Sequence, residues 1–351
     1  MARILRILDG DAAGWLVAPG LLVIVQQLVW PAPMGALLDG VILGLITALV
    51  GVGIVLIHRS NRVLNFAQGE LGLLPTTVAV MLIVESGLPY LFALSVGLVG
   101  AFAVGAASEF VIVRRFFDSP RLILTVATLG LAQLLGFASL LVPRWWDARI
   151  SSQRIDSPLD ITFDVGSFRF NGDDLIVLVA VPLILAGVWL LLTRTRLGIA
   201  IRASAEMPDR AGTLGMPVKA IQTFVWGTAT TLAFLALFMR ASVIGLPVGG
   251  SLGLLFFLRS LAAAVMGRLA DVKAVLTGSI ALGIVQSGIV WNSTSALEAD
   301  ALMGAVTAAV ILIALLARRR TFSRVDNVLS ALSMGETRPI PPELAGRIEV
   351  R

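Results

Sequence analysis

Cysteine is absent and histidine occurs once, at His58. Without thiolates, and with a lone imidazole, the chain can build neither disulfides nor a thiolate or histidine metal centre. Lysine is nearly missing too, with Lys219 and Lys273 the only two, and no phosphate-cradling G-x-x-x-x-G-K-[ST] loop occurs. H-E-x-x-H and G-x-S-x-G are also absent, so no hydrolytic or metal-assisted constellation can be assembled. Charge is the scarcest commodity: Asp, Glu, Lys and Arg make up 14% of the 351 residues against 57% hydrophobic, with a mean hydropathy of +0.93. Too little polar surface remains for a soluble globule of this size, and lipid is the expected solvent. In such a chain the basic excess sets orientation and does not signal a nucleic-acid partner.

What is present is a series of apolar windows, each near the roughly 20 residues that cross a bilayer. They fall near 15–30, 34–57, 63–84, 88–113, 121–142, 173–192, 220–244, 251–266, 274–291 and 300–317. The expectation is an all-α polytopic membrane protein of about ten transmembrane helices, with a range of 8 to 10 because the first and eighth windows are short. Arg3 and Arg6 precede the first window, but no small-residue cleavage site follows, so that helix is expected to be retained. Most Lys and Arg fall on one side, at Arg59 and Arg62, Arg114 to Arg121, Arg194 to Lys219, Arg268 and Lys273, and after 317. The positive-inside tendency then puts both termini in the cytoplasm. Residues 1–14 become a cytoplasmic N-terminus, 15–317 the transmembrane domain, and 318–351 a polar cytoplasmic tail rich in proline and expected to be disordered.

Two connections are long. The outer loop 143–172 carries Trp145, Trp146 and the alternating "ITFDVGSFRF", which reads as a hairpin or interfacial cap, or as a plain solvated connector. The inner segment 193–219 interleaves arginine with Ala, Ile and Leu and reads as a short amphipathic helix at the inner surface.

Ionisable residues within the windows carry the most information, because each costs roughly 2.5 to 3.5 kcal/mol at mid-membrane on insertion scales. Asp39 and Glu109 lie near helix ends, where headgroups or, for Glu109, the nearby Arg114 can satisfy them. Glu70 lies eight residues past Arg62, about 12 Å along a helix, too deep to escape. A helix here would put Asn65, Gln68, Gly69 and Gly72 on one stripe, and Pro75 would kink or break it one turn beyond Glu70. A polar, glycine-lined, broken helix suits the wall of a cavity; the same residues also suit a polar knot that only joins helices. Arg259, in "LLFFLRSLAAAVMG", either snorkels from a half-helix or pairs with an inward carboxylate.

"VGIVLIHRSNRVLNFAQGELGLL" resembles the H-type (LivH-type) permease subunit of bacterial branched-chain amino acid ABC importers, whose signature N-F-A-x-G-E is matched at Asn65, Phe66, Ala67, Gly69 and Glu70. "RTRLGIAIRASAEMPDRAGTLGM" is similar to the cytoplasmic loop of that family, and "FLRSLAAAVMG" to its G-L-K-A-F-x-A-A-V-L-G. The resemblance implies a non-enzymatic transport subunit in the bacterial cytoplasmic membrane. Its expected partners are a second permease subunit (LivM-type or another copy of itself), two ATPase subunits, an external solute-binding protein and membrane lipid. No cofactor is expected in this chain, since ATP and Mg would sit on the partner ATPases. Asn65, Phe66, Gln68, Gly69, Glu70, Arg259 and Gly267 would then border the translocation path or its gate. Arg194, Arg196, Gly198, Arg202, Ala205, Glu206 and Gly215 would form the segment that docks on an ATPase, with its arginines pairing to partner carboxylates. Where the family continues G-G-I-G-S, this chain reads "GRLAD" from Gly267. The competing expectation is an autonomous secondary transporter or channel in which Glu70 titrates. The solute is open: a branched-chain or related amino acid, or a small amide.

Overall fold

The computed structural model describes residues 14–116, 121–148, 152–155, 158–206, 208–247 and 252–317. Arg3, Arg6, Arg149, all but the last residue of the N-terminus expected at 1–14, and the tail expected at 318–351 lie outside the described residues. Among those described, the chain is helical nearly throughout. The helices are α1 (Gly14–Val29), α2 (Met34–Asn61), α3 (Gln68–Val84), α4 (Tyr90–Val111), α5 (Arg121–Leu141) and α6 (Gly172–Arg194). They are followed by α7 (Arg196–Glu206), α8 (Pro208–Thr213), α9 (Val218–Val243), α10 (Leu252–Met266), α11 (Val272–Asn292) and α12 (Ala296–Ala317). One compact unit runs to Ile311; of the remainder, 312–317 is described and is helical.

Among the described residues seven helices are long and apolar enough to cross a membrane, and three more apolar helices, at Leu16–Val29, Gln68–Val84 and Phe256–Met266, are shorter. The protein is therefore an all-α polytopic membrane protein, with fewer full spans than the ten windows suggest. The third window is the informative discrepancy. Hydropathy runs on from 63, but the helix does not start until Gln68.

α2 is the centre of the bundle, buried along most of its length and flanked by α9, α10 and α11. Lipid is as apolar as leucine, so membrane helices associate through close packing and not through a hydrophobic drive. α2 meets this requirement with Gly40 and Gly44, one turn apart, against Gly283 of α11. A Cβ on Gly44 would lie 2.5 Å from the Ile280 Cα, so the two backbones touch where no side chain fits. Gly72 does the same for α3, where a Cβ would lie 2.5 Å from the Ala233 carbonyl carbon of α9.

The connections at the end of the bundle opposite the arginine-rich loops contain the only strands among the described residues. β2 (Thr162–Val165) and β3 (Phe168–Asn171) form an antiparallel hairpin with Phe163 opposite Phe170, turning through Gly166 at φ +67°. The alternating pattern of "ITFDVGSFRF" therefore does make a hairpin. Asn171 then caps α6 in a capping box with Asp174, whose carboxylate accepts the Asn171 N–H at 2.8 Å. β1 (Ser152–Gln153) pairs with β4 (Leu246–Pro247), which lies just after α9.

At the arginine-rich end, α10 and α11 are joined by a tight turn in which Arg268 (φ 57°) and Leu269 (φ 54°) are both left-handed. Such a φ costs an L-residue roughly 1 to 2 kcal/mol and glycine nothing. With the side chain removed in both variants, Arg268→Gly should be more stable than Arg268→Ala by about 1 kcal/mol, because only glycine is unstrained at this φ. Thermal unfolding in detergent, read as a higher midpoint for Arg268→Gly than for Arg268→Ala, checks this.

Candidate translocation and coupling elements

The chain leaves α2 at Arg62, which caps the helix in the left-handed conformation (φ 56°) with its N–H donating to the His58 carbonyl at 2.8 Å. It does not continue outward. The Gln68 side chain lies against Gly53, where a Cβ would fall 2.5 Å from Nε2; Gly53 is eight residues, or about 12 Å, inside the end of α2. Residues 62–67 therefore climb back along α2 in non-helical form, and α3 begins within the bundle. Glu70 reaches the expected depth, but by this route and not along a continuous helix.

Asn65 explains why the segment is not helical. Its Oδ1 accepts the Ala67 N–H at 3.0 Å, a local turn that competes with helix formation. The expected single stripe of Asn65, Gln68, Gly69 and Gly72 is thus corrected: Asn65 precedes the helix, while Gln68, Gly69 and Gly72 lie on it. The expected break at Pro75 is also corrected, because α3 runs unbroken through Pro75 and the interruption comes before Gln68. Packed neighbours tolerate an internal proline in a membrane helix.

Around this turn three other helices converge. Gln68 Nε2 donates to the Ala229 carbonyl of α9 at 2.9 Å, and Asn65 Nδ2 lies 3.4 Å from Gln68 Oε1. The Phe66 N–H donates to Thr128 Oγ1 of α5 at 3.2 Å, and the Phe66 ring packs on Phe257 of α10 with centroids 5.3 Å apart. Phe66 thereby joins the two sequence regions assigned to the path, N-F-A-x-G-E and the segment that carries Arg259. The polar residues are buried and mutually bonded, with one exception. Glu70 Oε2 is shielded from solvent yet meets no hydrogen-bond donor among the described residues. It faces α5 at Gly136, where a Cβ would lie 3.4 Å away.

The other charges within helices are accounted for. Arg259 Nη2 lies 3.5 Å from Asp300 Oδ1 of α12, so the arginine is paired, its side chain 15% exposed and that of the carboxylate 67%. Arg259 thus pairs with a carboxylate, though an exposed one and not an inward one, and it sits midway along the short α10 and not at its start. Arg240, near the end of α9, lies over the Phe256 ring at 5.9 Å. Asp39 does not reach for headgroups; it accepts from Ser287 Oγ of α11 at 2.8 Å. Glu109 is fully buried and forms the expected ion pair with Arg114 at 3.0 Å. Its Oε2 also accepts from Thr223 Oγ1 of α9 at 2.6 Å. Gly267 closes α10; a Cβ there would lie 2.7 Å from Val275 Cγ2, so glycine is required for the α10 to α11 turn.

The segment expected to dock a partner is two short helices, α7 and α8. Gly198, Ile201 and Ser204 form the inward face of α7, and any side chain at Gly198 would overlap the Leu191 and Leu192 carbonyls that end α6. Arg202 is turned to the same place, its Nη1 donating to the Leu192 carbonyl at 2.8 Å, so its guanidinium serves the α6 end within the chain and is not offered outward. Arg194 and Arg196 are exposed, as are Leu197, Ile199 and Leu214. Ala205 and Glu206 close α7, and their side chains lie outside the described residues. Gly215 ends α8 in the left-handed conformation (φ 81°), where only glycine is unstrained.

Sequence reasoning did not find Thr128, Gly136, Thr223 or Ala229. Ala229 contributes a backbone carbonyl, which no residue type signals, and the two threonines are inconspicuous in apolar helices.

Three relatives align with most of this chain. The "Probable branched-chain amino acid transport permease protein LivH" of Methanocaldococcus jannaschii is 31% identical over 76% of this chain and 85% of its own. The high-affinity branched-chain amino acid transport system permease protein BraD of Pseudomonas aeruginosa is 27% identical over 72% and 84%. LivH of Escherichia coli, of the same description, is 25% identical over 71% and 83%. The family described as "Branched-chain amino acid transport system / permease component" matches residues 36–315, which span the described helices from α2 to all but the end of α12. This chain belongs to that family of branched-chain amino acid transport permeases.

Proposed function

We propose that the chain is the permease subunit of an ABC-type importer for branched-chain or related amino acids or small amides, working in the cytoplasmic membrane of a bacterium. As a member of a permease family it is a transport component and not an enzyme. It would pair with a related permease or a second copy of itself, receive solute from an external binding protein, and be driven by two ATPase subunits that carry the ATP and Mg. The observation that carries this reading is Glu70: a carboxylate oxygen held about 12 Å inside the bundle with no donor among the described residues to satisfy it. A membrane protein leaves such a group unpaired where it faces a polar passage or a passing solute. The hydrogen bonds of Asn65, Phe66 and Gln68 hold the carboxylate there, while Phe66 connects it to α10, whose Arg259 and Gly267 would complete the gate.

Coupling is assigned to α7 and α8. Their inner face is fixed on the end of α6 by Gly198 and Arg202, which leaves Arg194 and Arg196 free to meet carboxylates on an ATPase, with Leu197 and Ile199 as the apolar part of the same face. Gly215 would let the segment turn back into α9, and Ala205 and Glu206 belong to the same docking surface.

The unsatisfied Glu70 oxygen also favours a second reading, a self-sufficient transporter in which this carboxylate carries a proton with the solute. The two differ in what drives uptake. In vesicles holding the assembled complex, blocking nucleotide hydrolysis should abolish uptake; uptake sustained by a proton gradient alone would select the second reading.

Glu70→Gln keeps the shape and removes the charge. Uptake should fall roughly tenfold or more, as for loss of a hydrogen bond to a charged group, with membrane insertion unchanged. Parental uptake by this variant would exclude Glu70 from the path. Arg194→Glu combined with Arg196→Glu should weaken co-purification of ATPase subunits by roughly tenfold, since each exposed pair contributes up to about 1 kcal/mol and is replaced by repulsion. Unaltered recovery of those subunits would move the docking surface elsewhere.

A further inference from the structure

A wide, open cleft lies away from Glu70. It has a volume of about 1060 Å³ and opens at the arginine-rich end, between the end of α4, the end of α8 and the first turns of α9. Its floor is aromatic: Phe102 of α4 and Phe224 of α9 meet edge to face with centroids 6.0 Å apart. Phe102 is seated on Gly227, where a Cβ would lie 2.6 Å from the ring, so the backbone of α9 is shaped to receive it. Its lip is cationic, with Lys219 exposed and Arg114 half-buried. Arg114 uses Nε and Nη2 to bind Glu109 and Thr223, and Nη1 takes no part in those bonds. No carboxylate is among the described residues that line the cleft.

Two features together narrow the occupant. The aromatic floor is continuous with the outward face of α4, on which Val99 and Phe110 are 72% and 61% exposed, a face that only lipid or another membrane helix can cover. The cations stand at the end where positive charge marks the inner membrane surface. A soluble anion would have no use for two phenyl rings, and a neutral apolar molecule none for Lys219. We propose that this cleft is a binding site for an anionic phospholipid of the inner leaflet, its headgroup phosphate at Lys219 and Arg114 Nη1 and an acyl chain on Phe102 and Phe224. The headgroup would then lie between the coupling helices and α9, so the bound lipid would brace that corner. The inference uses the arginine-rich end as the inner face, and it stands whichever solute the chain carries.

The test is lipid retention by the full-length chain in detergent, measured by native mass spectrometry after mixing with phosphatidylglycerol or with phosphatidylcholine of the same acyl chains. Phosphatidylglycerol should be retained in preference. Lys219→Glu, at an exposed position that leaves packing intact, should lower its retention about fivefold or more, the effect of one surface cation on an anionic lipid. Ala220→Trp, which narrows the mouth without changing charge, should lower retention of both lipids. Equal retention of the two lipids by the parent chain overturns the proposal. So does phosphatidylglycerol retention that is untouched in both variants, or its complete displacement by millimolar inorganic phosphate, which would leave a site for the headgroup anion alone.

Discussion

The hydrogen bond from Gln68 to the Ala229 carbonyl is the constraint on which the rest of the bundle turns. Within a membrane, backbone that is not helical survives only if protein or enclosed water satisfies it, and residues 62–67 are such backbone. Asn65 meets the demand locally by accepting the Ala67 N–H and Thr128 meets it from α5 by accepting the Phe66 N–H, while Gln68 anchors the start of α3 to α9. Gly53 makes the crossing possible, because any larger residue on α2 would occupy the space of the amide. One side chain, one opposing carbonyl and one missing side chain thus allow a helix to begin inside the bundle and not at its rim.

A helix that begins there places its first turn, with Glu70, where a continuous span would have presented only apolar surface. The polar cluster therefore has two parts with different duties. Asn65, Phe66 and Gln68 are consumed in holding α5, α9 and α10 together, which is the knot that sequence reasoning weighed against a cavity wall. Glu70 is held in position by that knot without being consumed by it. Joining helices accounts for the first three residues, and Glu70 Oε2 bonds to none of them.

Much of this was legible in the sequence, and the failures have physical causes. Each apolar window contains a helix, and the alternating stretch before α6 is a hairpin, because hydrophobic periodicity reports directly on what must be buried. Hydropathy cannot tell helix from an apolar chain that runs without helix, so the third window was assigned a full span. Asn65 carried a usable signal, since an asparagine side chain can bond the backbone two residues on and so favours a local turn. Ion pairs between close positions, such as Glu109 with Arg114, could be read from spacing, whereas Asp39 with Ser287 and Arg259 with Asp300 join residues far apart in the chain. Arg202 misled for a related reason: exposed-looking composition does not show that a carbonyl at the end of α6 needs a donor.

The buried Glu109 has a mechanical consequence. Arg114 and Thr223 share its charge across the contact of α4 with α9, and separating them would strand a carboxylate in a medium that cannot solvate it. The two helices are consequently riveted at this corner, four residues from where α9 receives the chain from the surface segment at Lys219. Whatever displaces the start of α9 therefore drags the end of α4 with it.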